Sequence, residues 1–192
     1  MKRIALILSV ILIILSNNLF AKGPGDKISN FTIKNYDGNT YSLSGVKDAK
    51  GVIIVFWSAQ CPFVQGYNDR INDYVSDFQK KGFIFWAINS NTTESASDVE
   101  EHAKMHNYVF PVLKDENSVV ADMFEATRTP EVFVLNSDNV IVYHGRIDDN
   151  KNKSEVTTYD LQNAVNDIYN GKEVAVNATK QFGCSIKRAN QQ

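Results

Sequence analysis

The hydrophobic positions fall into three kinds of pattern, and their order along the chain predicts the fold class. Short alternation comes first. Phe31-Thr32-Ile33-Lys34 and Thr40-Tyr41-Ser42-Leu43 alternate apolar and polar residues around Asn35-Tyr36-Asp37-Gly38-Asn39. Asp-Gly between alternating runs is a hairpin signal, so Phe31 to Leu43 is expected as a small β-hairpin. Unbroken apolar runs follow. Gly51 to Trp57 and Phe83 to Ile88 are rich in β-branched and aromatic residues, the pattern of central strands covered on both faces. Between them Val64, Tyr67, Ile71, Tyr74, Val75 and Phe78 recur at three-and-four spacing, which predicts one amphipathic helix from Phe63 to about Lys80, stopped by Gly82.

The second half repeats these patterns in shorter pieces. Ser97, Asp98, Glu100 and Glu101 open a helix to about His106, its acids near the positive end. Val109 to Leu113 is extended, and Ser118 to Phe124 is a short helical piece. Thr129 to Leu135 is a strand led by Pro130. The turn Asn136-Ser137-Asp138-Asn139 returns it as Val140 to Tyr143, antiparallel. Tyr159 to Tyr169 forms a last helix ended by Gly171, and Lys172 to Gln192 is a tail.

The first residues do not belong to a globular pattern. Lys2 and Arg3 precede the apolar run Ile4 to Leu15, and Leu19-Phe20-Ala21 follows. Basic residues, an apolar core and a small residue before a cut predict a secretory signal over 1–21, cleaved after Ala21. The expected organisation is therefore a signal at 1–21, one domain at 22–171 and a tail at 172–192. The expected location is exported, periplasmic or extracytoplasmic. A membrane is a partner only if the N-terminal segment stays uncleaved. The 192 residues carry a net charge of −2, which gives no reason to expect nucleic acid.

Candidate chemistry concentrates at Phe56-Trp57-Ser58-Ala59-Gln60-Cys61-Pro62-Phe63-Val64. Cys61 falls where a buried strand gives way to a helix. Helix-terminal N–H groups stabilise a thiolate over a thiol, and the thiolate is the reactive form. Pro62 suits the first helical turn, where its missing N–H costs nothing. The chain has two cysteines, Cys61 and Cys184, so one intramolecular pairing exists, either a structural staple or a redox pair. Gly183 gives the second cysteine's segment freedom. His102 and His106 share a helix face, but no third well-spaced ligand accompanies them, and a solvated face is expected. Asp148, Asp149 and Lys151 to Lys153 are expected to form a charged loop, and Trp57 and Trp86 to lie in the core. No cofactor or metal is expected.

The Phe-Trp-…-Cys-Pro-Phe-Val stretch, with the order βαβ, helix, β-hairpin, helix, resembles the thioredoxin-like superfamily, in particular its AhpC/TSA-type redoxin branch. The resemblance covers most of the chain after about Gly25. It implies an α/β thioredoxin-like fold, a central mixed β-sheet flanked by helices, with an N-terminal β-hairpin extension and the C-terminal tail. It implies a cis bond at Thr129-Pro130, packed against Cys61, whose exposed backbone pairs with an extended substrate. It also implies thiol–disulfide chemistry on protein or small-molecule thiols and disulfides. Cys61 is the attacking group, Cys184 a resolving thiol, and Trp57, Pro62, Arg128 and Thr129 flank the substrate. Two departures bear on the reaction. Val64 stands where thioredoxin-type sites carry a second cysteine, and Val55 where thioredoxin has a buried acid. Ser58 and Arg128 match peroxiredoxins in part, which keeps hydroperoxides as alternative substrates, but Ile54 stands where those enzymes have a loop proline. A non-catalytic binding module stapled by Cys61 and Cys184 is the third reading.

Overall fold

The computed structural model describes residues 22–189; the expected signal at 1–21 lies outside them. The expected hairpin is present as strands β1 (Thr32–Lys34) and β2 (Thr40–Ser42), paired antiparallel. The body is a five-stranded mixed sheet. At its centre is β3 (Gly51–Phe56), parallel to β4 (Phe83–Asn89), which is parallel to β5 (Val112–Lys114). On its other side β3 is antiparallel to β7 (Glu131–Leu135), and β7 to β8 (Ile141–Gly145). A separate two-residue strand, β6 (Arg128–Thr129), precedes β7. Every residue of β3 is buried, as its unbroken apolar run requires.

Alternation along β3 divides the core into two layers. Ile53, Val55 and Trp57 face one side, with Val75 and Phe78 of α2 (Ile71–Lys80), Val99 of α3 (Ala96–Met105) and Leu161 and Val165 of α5 (Asp160–Tyr169). Val52, Ile54 and Phe56 face the other, with Ile33 and Leu43 of the hairpin region and Val120, Ala121 and Phe124 of α4 (Val119–Phe124). Helices and hairpin thus cover both faces, and each large apolar side chain removed from water contributes about 1.5–3 kcal/mol before ordering costs. Both tryptophans are buried as expected.

The expected single helix from Phe63 to Lys80 is instead two: α1 (Pro62–Gln65) and α2, separated by turns. Arg70 is the cause. In a continuous helix the Gly66 carbonyl would accept from the Arg70 N–H. Here the Arg70 N–H goes to Tyr67 O, while the Arg70 guanidinium takes Gly66 O at 3.0 Å and Lys151 O at 2.9 Å. The same guanidinium holds Asp148 at 3.0 Å, both residues being almost wholly buried. Asp148 is therefore not part of a solvated charged loop. It also accepts from Tyr67 Oη at 2.7 Å. Burial raises its carboxyl above the usual range, with Tyr67 and Arg70 opposing. Loop 148–151 approaches so closely that a Cβ on Gly66 would lie 2.7 Å from Lys151 O, and glycine is required there. The face of His102 and His106 is half-buried rather than fully solvated: both rings lie against Tyr108, at 5.6 and 5.8 Å.

The tail is part of the structure. It runs beside β8, with His144 bridged to Ala178, and then crosses to β6 as β9 (Cys184–Ser185). Among the described residues no helix is long and apolar enough to cross a membrane.

Candidate active site

Cys61 ends the loop after β3 and caps α1, with Pro62 in the first turn as expected. Because α1 has only four residues, the long-helix field expected from the sequence is absent, and what remains is local hydrogen bonding. The Cys61 side chain is 2% exposed. Its sulfur lies 3.1 Å from the Thr129 carbonyl oxygen and 2.7 Å from the sulfur of Cys184, the two cysteines being free thiols. A covalent S–S bond measures about 2.05 Å, so bond formation requires only a small approach. Burial pushes the Cys61 thiol up, but its hydrogen bonds with the Cys184 side chain and the Val64 backbone push it down further, and the net is a value below the ordinary one. Cys184 moves the other way. Burial and its hydrogen bond to Cys61 push it up to about 11.

The Thr129-Pro130 bond is cis. It turns the chain between β6 and β7 and leaves the β6 backbone beside Cys61. There Arg128 pairs with Ser185 and Thr129 with Cys184, antiparallel. The remaining candidate residues serve other ends. Arg128 does not reach the sulfur; its Nη1 donates to Gly183 O at 3.0 Å in the tail. Trp57 is buried with its ring against Tyr108 and Phe110. Val55, where a buried acid would stand in thioredoxin, is an apolar core residue. Ser58 donates to Glu94 Oε1 at 2.6 Å.

Glu94 was not legible as a site residue. It is 2% exposed, and its carboxylate accepts from Ser58 Oγ, the Ala59 N–H at 2.8 Å, Asn89 Nδ2 at 2.7 Å and Asn91 Nδ2 at 2.7 Å. Asn91 Oδ1 in turn accepts from the Lys187 N–H at 2.7 Å, in the tail. One buried carboxylate therefore ties the loop before Cys61 to the segment after Cys184. The signal was the polar Asn89-Ser90-Asn91 at the end of an apolar strand, followed by an acid too early to belong to the helix. Buried Lys114 neighbours this network, its Nζ donating to Asn91 O at 2.6 Å. Burial lowers its pKa.

The profile of the AhpC/TSA family matches residues 24–144. The chain belongs to the AhpC/TSA family. Within this family setting it is similar to the thiol-disulfide oxidoreductase ResA of Bacillus subtilis, 29% identical over 119 residues, 62% of this chain and 64% of ResA. The chain thus spans just under two thirds of that relative's length. It is 28% identical over 150 residues to a chloroplastic peroxiredoxin Q of Populus jackii, covering 72% of this chain and 68% of that protein. Among solved structures, a hypothetical protein from Sinorhizobium meliloti superposes with a TM-score of 0.80 at 31% identity, over 87% of this chain and 95% of that one. The fold is α/β and thioredoxin-like, and the two named relatives are a thiol-disulfide oxidoreductase and a peroxiredoxin.

Proposed function

We propose that this AhpC/TSA-family chain is an exported thiol–disulfide oxidoreductase in which Cys61 attacks and Cys184 resolves. The observation that carries the reading is the 2.7 Å between the two sulfurs beside the cis-proline turn. The lowered Cys61 thiol supports its role as nucleophile, since the thiolate is the attacking species. Cys61 displaces one sulfur of a disulfide and forms a mixed disulfide. Cys184 then attacks Cys61 and releases the second. The domain runs over 22–171, and the tail 172–192 supplies the second thiol that Val64 does not. The ResA likeness supports this reading, and the N-terminal pattern supports export to a compartment where disulfides persist.

Thiol mapping by mass spectrometry tests it, on the air-oxidised and reduced protein and on Cys184→Ser. The expected result is a Cys61–Cys184 bond that opens with a dithiol, and mixed disulfides at Cys61 in the variant. A Cys61 that stays a free, slowly alkylated thiol throughout overturns the reading. A peroxidase is the second reading, favoured by the peroxiredoxin Q likeness. Its requirement is loss of the Cys61 thiol with hydrogen peroxide far faster than free cysteine, through a sulfenic acid. The engagement of Ser58 with Glu94 and of Arg128 with Gly183 counts against it, because neither is left to hold a peroxide.

A further inference from the structure

We propose that the docked tail sets the substrate class: with it in place, Cys61 reacts with low-molecular-weight disulfides and not with extended polypeptides. This rests on the thiol–disulfide reading above and adds a size limit to it.

An exposed strand edge recognises an extended peptide by continuing the sheet. Beside Cys61 that edge is β6, and β9 already fills it, residue for residue. The fit is close. Gly183 has φ +151°, and a Cβ there would lie 2.0 Å from the Thr129 carbonyl oxygen. The tail is fastened further along as well. The Ile186 N–H donates to Thr127 O at 2.9 Å, and its side chain, 1% exposed, joins the core layer of Phe56 and Phe124. The Thr92 N–H donates to Lys187 O at 2.8 Å, and Arg188 donates to Asp122 Oδ1 at 2.7 Å and Ala126 O at 2.6 Å. A polypeptide that must lie along β6 has to displace all of this.

A small molecule does not. A cavity of about 210 Å³ is bordered by both cysteines and by Ser58, Gln60, Asn91 and Thr93. At about 30 Å³ per water it has room for roughly seven waters, the scale of a disulfide of eight or ten heavy atoms. The exposed side chains of Gln60 and Ser185 lie on its border. In this space the Cys61 thiolate attacks one sulfur of R–S–S–R. The Cys61–S–S–R bond forms and RS⁻ leaves, taking a proton from solvent. Cys184 gives its proton to solvent and its thiolate attacks the Cys61 sulfur. The Cys61–Cys184 bond forms and the second RS⁻ leaves. Two protein thiols are oxidised and one small disulfide is reduced to two thiols.

The test follows thiol loss in the reduced full chain, in single turnover, with hydroxyethyl disulfide and with insulin as the polypeptide disulfide. Arg188→Ala and Ile186→Ala loosen the tail. The first substitutes a surface contact and spares the core. A lost hydrogen bond shifts docking by about fivefold. The expected result is that wild type reacts with hydroxyethyl disulfide at least about 25-fold faster than with insulin, two such contacts' worth of exclusion. The loosened variants should gain rate on insulin alone. Insulin reacting as fast as the small disulfide in wild type, or insulin rates unmoved in both variants, overturns the size limit and leaves the thiol–disulfide reading standing. Failure of both disulfides to oxidise the protein in any variant is the separate outcome that removes that reading, and this inference with it.

Discussion

Cys61 and Cys184 meet at one point, but they are held by different means. Cys61 follows the central strand of the sheet and is gripped from two sides. Glu94 holds the Ser58–Ala59 loop ahead of it, and the Arg70–Asp148 pair fixes the turn behind α1. Cys184 sits on a two-residue strand fastened by backbone pairing, one buried isoleucine and a partly exposed arginine. The contrast is between a sulfur built into the core and a sulfur docked onto it. In the proposed reaction Cys184 makes and breaks its bond to Cys61 in each cycle, while Cys61 keeps its place. Docking by several weak contacts suits the first need, and continuity with a buried strand suits the second.

Removing each sulfur in turn is the most severe test of that division. Cys61→Ser is expected to lose thiol–disulfide exchange entirely. Cys184→Ser is expected to keep the first step and stall as a mixed disulfide on Cys61, read by intact-protein mass spectrometry under acid quench. Equal loss in both variants would break the comparison, because the two sulfurs would then act as one unit in the first step.

Stability should divide the same way. Asp148→Ala leaves the Arg70 guanidinium buried without its counter-charge, and removing one partner of such a pair costs about 3–5 kcal/mol. Arg188→Ala removes a pair whose Asp122 partner is well exposed, worth about 0–1 kcal/mol. Urea denaturation of the two variants sharpens the comparison if the gap appears, and a tail variant as costly as the core variant contradicts it.

Glu94→Gln should fall between them. The glutamine keeps one acceptor but turns a donor toward the groups that Glu94 accepts from, the Ala59 N–H among them. Leaving one buried group unsatisfied costs about 1–3 kcal/mol. Because the same side chain reaches the tail through Asn91, the Cys61–Cys184 reduction potential should shift as well. An unchanged potential with reduced stability would assign Glu94 to the core side alone.

These features were unequally legible in the sequence. β3, β4 and β7 are apolar runs whose alternating sides both meet the core, so local pattern and final environment agree. Cys61 was legible for the same reason, lying at the end of such a run. The break between α1 and α2 was not, because its cause is an ion pair between Arg70 and a residue far along the chain, while the local three-and-four spacing continues across it. Glu94 was hidden in the same way. Its partners Ser58 and Ala59 belong to a distant segment, and only the fold brings them together. Cys184 could be counted but not placed, since a two-residue strand leaves no period to read.

The smallest expected effect concerns the proton that the two sulfurs contend for. In the reduced protein Cys184 is pushed up to about 11 from an ordinary value near 9.0, first by burial and then by its hydrogen bond and proximity to Cys61. Cys61→Ser removes the second cause and leaves the first. The alkylation midpoint of Cys184 should therefore fall from about 11 but stay above 9.0. Cys61, held below its ordinary value partly by the Cys184 thiol, should rise in Cys184→Ser. The signs for stability are opposite too. The raised Cys184 value contributes stability that is present below the unfolded value and is lost as pH climbs toward about 11. The lowered Cys61 value contributes stability that is lost as pH falls through its folded value. Alkylation rates against pH in the wild type and both variants give both midpoints. If neither midpoint moves when its partner is replaced, the sulfurs do not share a hydrogen bond in the reduced protein, and the tail is docked without help from the thiols, by its backbone, Ile186 and Arg188.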